Sequence, residues 1–272
     1  MPPRPVPPLP APRTPAGRRG LDALLADPRR AMIALDYDGT LAPVVDNPQD
    51  AVPQAGALDA LTRLAPRLTL VLVTGREADV VVELAGLAAL PGLQVLGQYG
   101  AQRWRAGRLD ADPPTPGLQQ ARAELPGLAS EQGATVEDKG LSLVVHTRGG
   151  PDPAGALDRL RAPLSRRAAG WGLEVHAGRL VLELRPPGHD KGTALQPLLA
   201  DRSAVLFAGD DVGDVAAFDE VERARGRGLP GLLVCSDSDE APERLRAGAD
   251  LVVEGPAGVV RVLTAVADAL RA

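Results

Sequence analysis

Aromatic side chains are scarce in this chain. Tyr37, Tyr99, Trp104, Trp171, Phe207 and Phe218 are the only ones in 272 residues. A buried core must therefore be assembled from Leu, Val and Ala, and the 44% hydrophobic content supplies them. Cysteine occurs once, at Cys235, which rules out an intrachain disulfide and fits a reducing compartment. No apolar run reaches the roughly 18 residues that span a bilayer, so no membrane partner and a cytoplasmic location are expected. Positive charge is also limited. The formal net charge is -5, with no basic stripe and no aromatic-basic interleaving, which argues against a nucleic-acid partner. Lysine is rarest among the charged residues: of 30 basic residues only Lys139 and Lys191 are Lys. Lysine is a compact point charge that fits where a guanidinium fork does not. Both lysines stand in the same text, Asp-Lys-Gly, at 138–140 and 190–192. Chance would explain that; so would a charged ligand met by both.

Residues 1–20 are rich in Pro and Arg and lack the apolar stretch of a signal peptide. They read as a disordered tail. From there the pattern predicts alternating strands and helices. Apolar runs at 32–35, 68–73 and 93–96 read as buried strands, with helices over 53–65 and 77–85 and a further strand at 102–105. Such alternation implies a parallel sheet with helices on both faces. Residues 110–117, rich in Pro and Asp, read as a linker. Two helix-hairpin units follow, with helices over 118–130 and 153–169, an α+β layout around one antiparallel sheet. The first style returns after Pro186, with a strand at 204–208 and a closing helix at 257–270. The expected organisation is a split core, 21–110 with 186–272, and an inserted domain over 111–185.

Ligands of open parallel sheets bind beyond the carboxyl ends of the strands. Asp36 with Asp38, Thr74, Lys191, and Asp210 with Asp211 and Asp214 fall at or beside such ends. Carboxylates gathered this densely repel one another unless a cation or protonation relieves them. An all-oxygen donor set suits Mg²⁺, whereas zinc calls for His or Cys, which these motifs lack.

Asp36-Tyr37-Asp38-Gly39-Thr40 after an apolar strand resembles the first motif of the haloacid dehalogenase-like phosphatases. Thr74, Lys191 and Gly209-Asp210-Asp211 with Asp214 resemble that family's second, third and fourth motifs, in the same order. The resemblance implies a Rossmann-like parallel-sheet core with an inserted α+β cap domain of the C2 type. It implies that Asp36 attacks phosphorus to form an aspartyl-phosphate, and that Asp38 protonates the leaving oxygen and then activates water. Thr74 and backbone amides would hold phosphate oxygens, and Lys191 would neutralise the phosphoryl group. Mg²⁺ would be held by the Asp36 carboxylate, the Asp38 carbonyl and Asp210, with Asp211 and Asp214 supporting the metal's waters or Lys191. Within the insert, Val136 to Ser142 followed by His146 and Arg148, and the run from 179 to Pro186, resemble the trehalose-6-phosphate phosphatases. That resemblance implies a sugar phosphate substrate contacted by Glu137, Lys139, Gly140, His146 and Glu183, with Gly75 and Arg76 beside the phosphate. It further implies a monomer paired functionally with a trehalose-6-phosphate synthase. The chain departs from this family at Tyr99-Gly100-Ala101-Gln102, where His-Gly-x-Glu is common, and at Gly213 and Val215 in the fourth motif.

Blander readings compete at several positions. Thr74 also reads as the N-cap of the following helix, Asp211 as a structural residue, and Lys139 as a solvated turn lysine. Glu137 and Glu183 alternate with apolar neighbours as on the wet face of a sheet. The functional expectation is Mg²⁺-dependent hydrolysis of trehalose 6-phosphate. Its rivals are a phosphatase for sucrose phosphate or a glycosyl-phosphoglycerate, a sugar-phosphate mutase, and a non-catalytic sensor.

Overall fold

A computed structural model describes residues 11–271 except 46, 179, 239 and 240. The chain divides into two compact units, Met1–Asp110 with Asp190–Ala272, and Ala111–His189. The first unit opens with α1 (Pro15–Ala26), β1 (Met32–Leu35), α2 (Ala57–Leu64), β2 (Thr69–Val73), α3 (Ala78–Leu84), β3 (Gln94–Gly97), β4 (Gln102–Arg105) and β5 (Arg108–Ala111). The second unit holds α4 (Pro116–Ser130), β6 (Thr135–Asp138), β7 (Leu143–His146), α5 (Pro153–Gly170), β8 (Glu174–Gly178) and β9 (Val181–Arg185). The chain then returns through α6 (Lys191–Leu195), β10 (Val205–Gly209), α7 (Val215–Gly226), β11 (Gly231–Asp237), α8 (Glu243–Gly248), β12 (Leu251–Glu254) and α9 (Gly255–Ala269).

The first unit is built on an eight-stranded sheet ordered β12-β11-β10-β1-β2-β3-β4-β5. Six of its strands, β12 to β3 in that order, run parallel, and β4 pairs antiparallel to β3. From β1 the chain first winds outward through β2 and β3, then later through β10 to β12 on the other side. The order therefore reverses between β1 and β10, and that reversal is where an open parallel sheet leaves a crevice for ligands. Every residue of β1 is buried. Its side chains alternate between two apolar layers, as a doubly covered strand requires. Ile33 and Leu35 join the layer of α1, α2, α3 and α9. Met32 and Ala34 join that of α6, α7 and α8, in which Phe207 meets Phe218 edge to face at 5.9 Å.

The expected irregular tail is corrected by α1. Residues 1–10 of it lie outside the described residues, but residues 15–20 are helical. The reason is local as well as tertiary. The Thr14 hydroxyl caps the helix by accepting from the Gly17 amide at 2.9 Å, and Pro15 occupies the first turn, where its missing N–H costs nothing. Leu21 and Leu24 then enter the core. Thr14 and Arg225 both donate to the buried carboxylate of Asp250, which also accepts from the Leu233 amide at 2.7 Å.

In the second unit the four-stranded sheet is ordered β6-β7-β9-β8, and its β6–β7, β7–β9 and β8–β9 pairs are antiparallel. Leu118, Ala121, Leu125 and Ala129 of α4, with Leu160, Leu164 and Ala168 of α5, pack on Leu143, Val145, Leu182 and Leu184. The period of two then turns Glu137, Val144, His146 and Glu183 to the opposite face.

Candidate active site

The site gathers at the carboxyl ends of β1, β2 and β10. Asp36 follows β1, and its amide extends the ladder by donating to the Ala208 carbonyl at 3.0 Å. Thr74 follows β2 in the same way, donating to the Leu96 carbonyl at 2.9 Å. Asp210 follows β10. Asp36, Thr74, Lys191, Asp210 and Asp214 are all buried.

Lys191 is the centre of this arrangement. Asp190 caps α6 by accepting from the Thr193 amide at 2.8 Å, and the next residue, Lys191, enters the site. Its Nζ lies 2.7 Å from Asp36 Oδ1 and donates to Asp214 Oδ1 at 2.8 Å. Asp214 Oδ2 accepts from the amides of Asp210 and Asp211 at 2.9 and 3.1 Å. Both oxygens of Asp214 are thereby committed to its own neighbours. It holds Lys191 and shapes the loop after β10. Asp211 is more exposed and caps the short turn Val212–Asp214, 4.0 Å from Lys191.

The electrostatics follow from burial. Removal from water raises the Asp36 carboxyl well above its usual range, and Asp214 adds to this while Lys191 opposes it. Burial, with Asp214 and Asp211 nearby, pushes Asp210 up to about 7. Burial lifts Asp214 to about 6 against the pull of Lys191. Burial disfavours the Lys191 charge, but Asp214 and Asp36 outweigh it and hold the ammonium well above its ordinary range. Three carboxylates against one ammonium leave the cluster short of positive charge.

A divalent cation fits that shortfall. Oxygens of Asp36, Asp210 and Asp214 all lie within 4.8 Å of one another. With Asp214 engaged, Asp36 and Asp210 are the carboxylates left to hold a metal. Oxygen donors without His or Cys suit Mg²⁺. Gly39 is shaped to this pair. It sits at φ +72°, and a Cβ there would run into the Asp210 carboxylate.

Asp38 is held outside this cluster by Arg76, which donates to its two oxygens at 2.6 and 2.7 Å. The same guanidinium donates to the Pro48 carbonyl at 2.7 Å and lies 5.7 Å from the Tyr37 ring centroid. Arg76, expected beside the substrate, is thus committed to Asp38, because a planar fork matches a carboxylate in two bonds. Thr74 does not cap the following helix. Glu77 occupies the N-cap position, its side chain not capping the helix, and Gln102 Oε1 accepts from the Ala78 amide at 2.8 Å. The Thr74 hydroxyl accepts from the Arg76 amide at 3.1 Å.

Three contributors escaped the sequence reading. Thr40 donates to Asp210 Oδ1 at 3.1 Å. The Tyr37 hydroxyl donates to the Ala51 carbonyl at 2.6 Å. Ser236 donates to the Gly39 carbonyl at 2.6 Å from the end of β11. Thr40 and Tyr37 stand inside the first motif and were legible there as positions; Ser236 carries no local signal.

In the second unit, the turn between β6 and β7 carries Lys139 and Gly140, with the Lys139 amide donating to the Ser142 carbonyl at 3.0 Å. His146 Nε2 lies 2.8 Å from Glu137 Oε2, and Ser142 donates to Glu183 Oε1 at 2.8 Å. Glu183 is buried and Lys139 half-buried.

This parallel core with an α+β insert is the fold of the haloacid dehalogenase-like hydrolases. One of them, from Bacteroides thetaiotaomicron, superposes with a TM-score of 0.65 at 18% identity, over 86% of this chain and 98% of that one. The family model described as trehalose-phosphatase matches residues 34–246, and the chain belongs to that family. It is 34% identical over 269 residues to the trehalose-phosphate phosphatase of Mycobacterium avium, covering 92% of this chain. It spans 65% of that relative's length. It is also similar to the trehalose-6-phosphate phosphatase of Aspergillus fumigatus, with 25% identity, a TM-score of 0.67, and 95% and 99% of the two chains covered. Among the described residues, no helix is long and apolar enough to cross a membrane.

Proposed function

We propose that the protein hydrolyses trehalose 6-phosphate to trehalose and phosphate, with Asp36 as the nucleophile. One observation carries this reading: in a chain of the trehalose-phosphatase family, Lys191 binds one oxygen of Asp36 while Asp210 stands within metal-sharing distance of it. A buried carboxylate held on one side keeps its other oxygen in a fixed direction, which is what in-line attack on phosphorus demands.

Asp36 and Asp210, with the Asp38 backbone carbonyl, would hold Mg²⁺. When bound, the cation neutralises carboxylates and phosphate oxygens. In this reading Asp36 Oδ attacks phosphorus and the bond from phosphorus to the sugar oxygen breaks. Asp38, freed from Arg76 and having taken up a proton from solvent, delivers that proton to the sugar oxygen. Water then attacks the aspartyl-phosphate, Asp38 takes the water's proton, and phosphate departs from a regenerated Asp36. Lys191 offsets negative charge throughout, held in place by Asp214. Thr74 and the amides after β2 hold phosphate oxygens.

The inserted unit acts as the sugar-reading cap. Glu137, Lys139, Gly140, His146 and Glu183 would contact the hydroxyls of the disaccharide, since charged groups make strong hydrogen bonds to them. The decisive assay is phosphate release from trehalose 6-phosphate beside sucrose 6-phosphate, a glucosyl-phosphoglycerate and glucose 6-phosphate, with and without Mg²⁺. Trehalose 6-phosphate should be preferred and turnover should require the cation. Preference for another member of the panel would replace the substrate. Formation of an isomeric sugar phosphate in place of inorganic phosphate would replace the reaction.

A further inference from the structure

The segment after β3 is strained where the site is assembled. Gln98 and Tyr99 stand consecutively at φ +45° and +56°, followed by Gly100 at +96°. Two non-glycine residues in succession rarely adopt the left-handed region, and they persist there only when their surroundings hold them. Here two neighbours do so. The Gln98 amide donates to the Arg76 carbonyl at 2.8 Å, and the Tyr99 amide to the Thr74 carbonyl at 2.9 Å. The turn is thus bonded to both ends of the Thr74-Gly75-Arg76 loop. On its other side Gly100 faces α6 so closely that a Cβ would lie 2.7 Å from Ala194 Cβ, three residues after Lys191.

The Tyr99 phenol completes the wedge. A Cβ on Gly75 would stand 2.7 Å from Tyr99 Oη and 2.8 Å from Cζ. Contacts that short do not survive, so ring and loop backbone are already touching. We infer that Tyr99 is a positioning residue: the strained turn Gln98–Gly100 braces the Thr74–Gly75 loop at its distance from Lys191, so that the loop's amides and hydroxyl meet a phosphoryl group. Tyr99 itself touches the loop, not the phosphorus. This inference rests on the proposed reading in which Thr74 and Gly75 seat the phosphate.

The test is a double-mutant cycle read by orthophosphate binding, measured calorimetrically on the full chain in Mg²⁺, with melting temperatures recorded alongside. Gly75→Ala and Tyr99→Ala should each weaken orthophosphate by about tenfold, the factor carried by one hydrogen bond. Combined, they should weaken it no further than Tyr99→Ala alone, because removing the phenol makes room for the new methyl. Tyr99→His, whose shorter ring stops before the Cζ and Oη positions, keeps an aromatic brace. It should restore most of the affinity lost by Gly75→Ala, and it replaces Tyr99→Ala in the cycle should that variant not fold. Losses that simply multiply, or a lowered melting temperature with unchanged orthophosphate affinity, overturn the brace. An unsubstituted protein that binds no orthophosphate overturns both the brace and the phosphatase reading. Coupled losses in a protein that hydrolyses none of the sugar phosphates support the brace and remove only the proposed substrate.

Discussion

Asp214 illustrates how a residue's chemistry depends on what its oxygens are already doing. Lys191 and two backbone amides take both of them, so it serves Lys191, while Asp36 and Asp210 are left for a cation. The motif pattern singled out all three, because acidic residues after apolar strands are a strong local signal. The motif resemblance left Asp214 between the metal's waters and Lys191, and the choice of Lys191 rests on hydrogen bonds between segments far apart in the chain. Replacing Asp36 by Asn removes the proposed nucleophile with little change of shape. Phosphate release should fall on the order of 10⁴-fold or more while the melting transition is retained; near-normal turnover would remove Asp36 from its role. Lys191→Arg tests the rarity of lysine. A guanidinium is longer and planar and does not reproduce the single buried Nζ that lies 2.7 Å from Asp36 and 2.8 Å from Asp214, so turnover from this variant should drop about a hundredfold or more.

Elements were legible in proportion to how local their causes are. β1, β2 and β10 announce themselves as apolar runs, because a strand covered on both faces is apolar at every position. β5 does not, because all four of its residues are exposed. The helix α1 was hidden in proline-rich text, since docking against β11 and Asp250 cannot be read from its own residues. Asp250 should matter accordingly. Asp250→Ala leaves Arg225, Thr14 and the Leu233 amide without their shared acceptor and should cost about 3–5 kcal/mol in urea denaturation. The hairpin β8–β9 offers a pH test. Burial, and then the Arg185 charge beside it, hold His176 below its usual 6.5, with Arg185 Nη2 3.3 Å from Nδ1 and Glu174 3.3 Å from Nε2. The unfolded chain therefore binds the extra proton more readily, and stability falls as pH drops below 6.5 toward the depressed folded value. Relative to the unsubstituted protein, His176→Gln should show a shallower loss of melting temperature across that window.

For the molecule as a whole, the unbalanced charge at the centre of the sheet is the feature to probe. Folding brings Asp36, Asp210 and Asp214 together around one ammonium, an arrangement that destabilises the folded state until a cation joins it. A ligand bound only by the folded chain stabilises it by RT ln(1 + [L]/Kd), about 2.7 kcal/mol at a hundredfold excess over Kd. Mg²⁺ should therefore raise the melting temperature, EDTA should reverse the rise, and Asp210→Asn should abolish it. A melting temperature indifferent to Mg²⁺ would contradict the metal assignment independently of any activity measurement.

The sequence by itself determined the parallel core, the interruption of that core by an α+β insert, and the list of residues at the strand ends. These follow from periodicity and from chemistry written within a few positions of chain. Tertiary structure alone decided which groups those residues pair with. The tripeptide Asp-Lys-Gly occurs twice: at 138–140 it turns a hairpin, and at 190–192 it opens a helix with its lysine buried between two carboxylates. The pairing of Arg76 with Asp38 and the bracing of Gly75 by Tyr99 are likewise invisible in the text. Each depends on distances between loops that only the folded sheet brings side by side, where burial and charge then select one partner for each group.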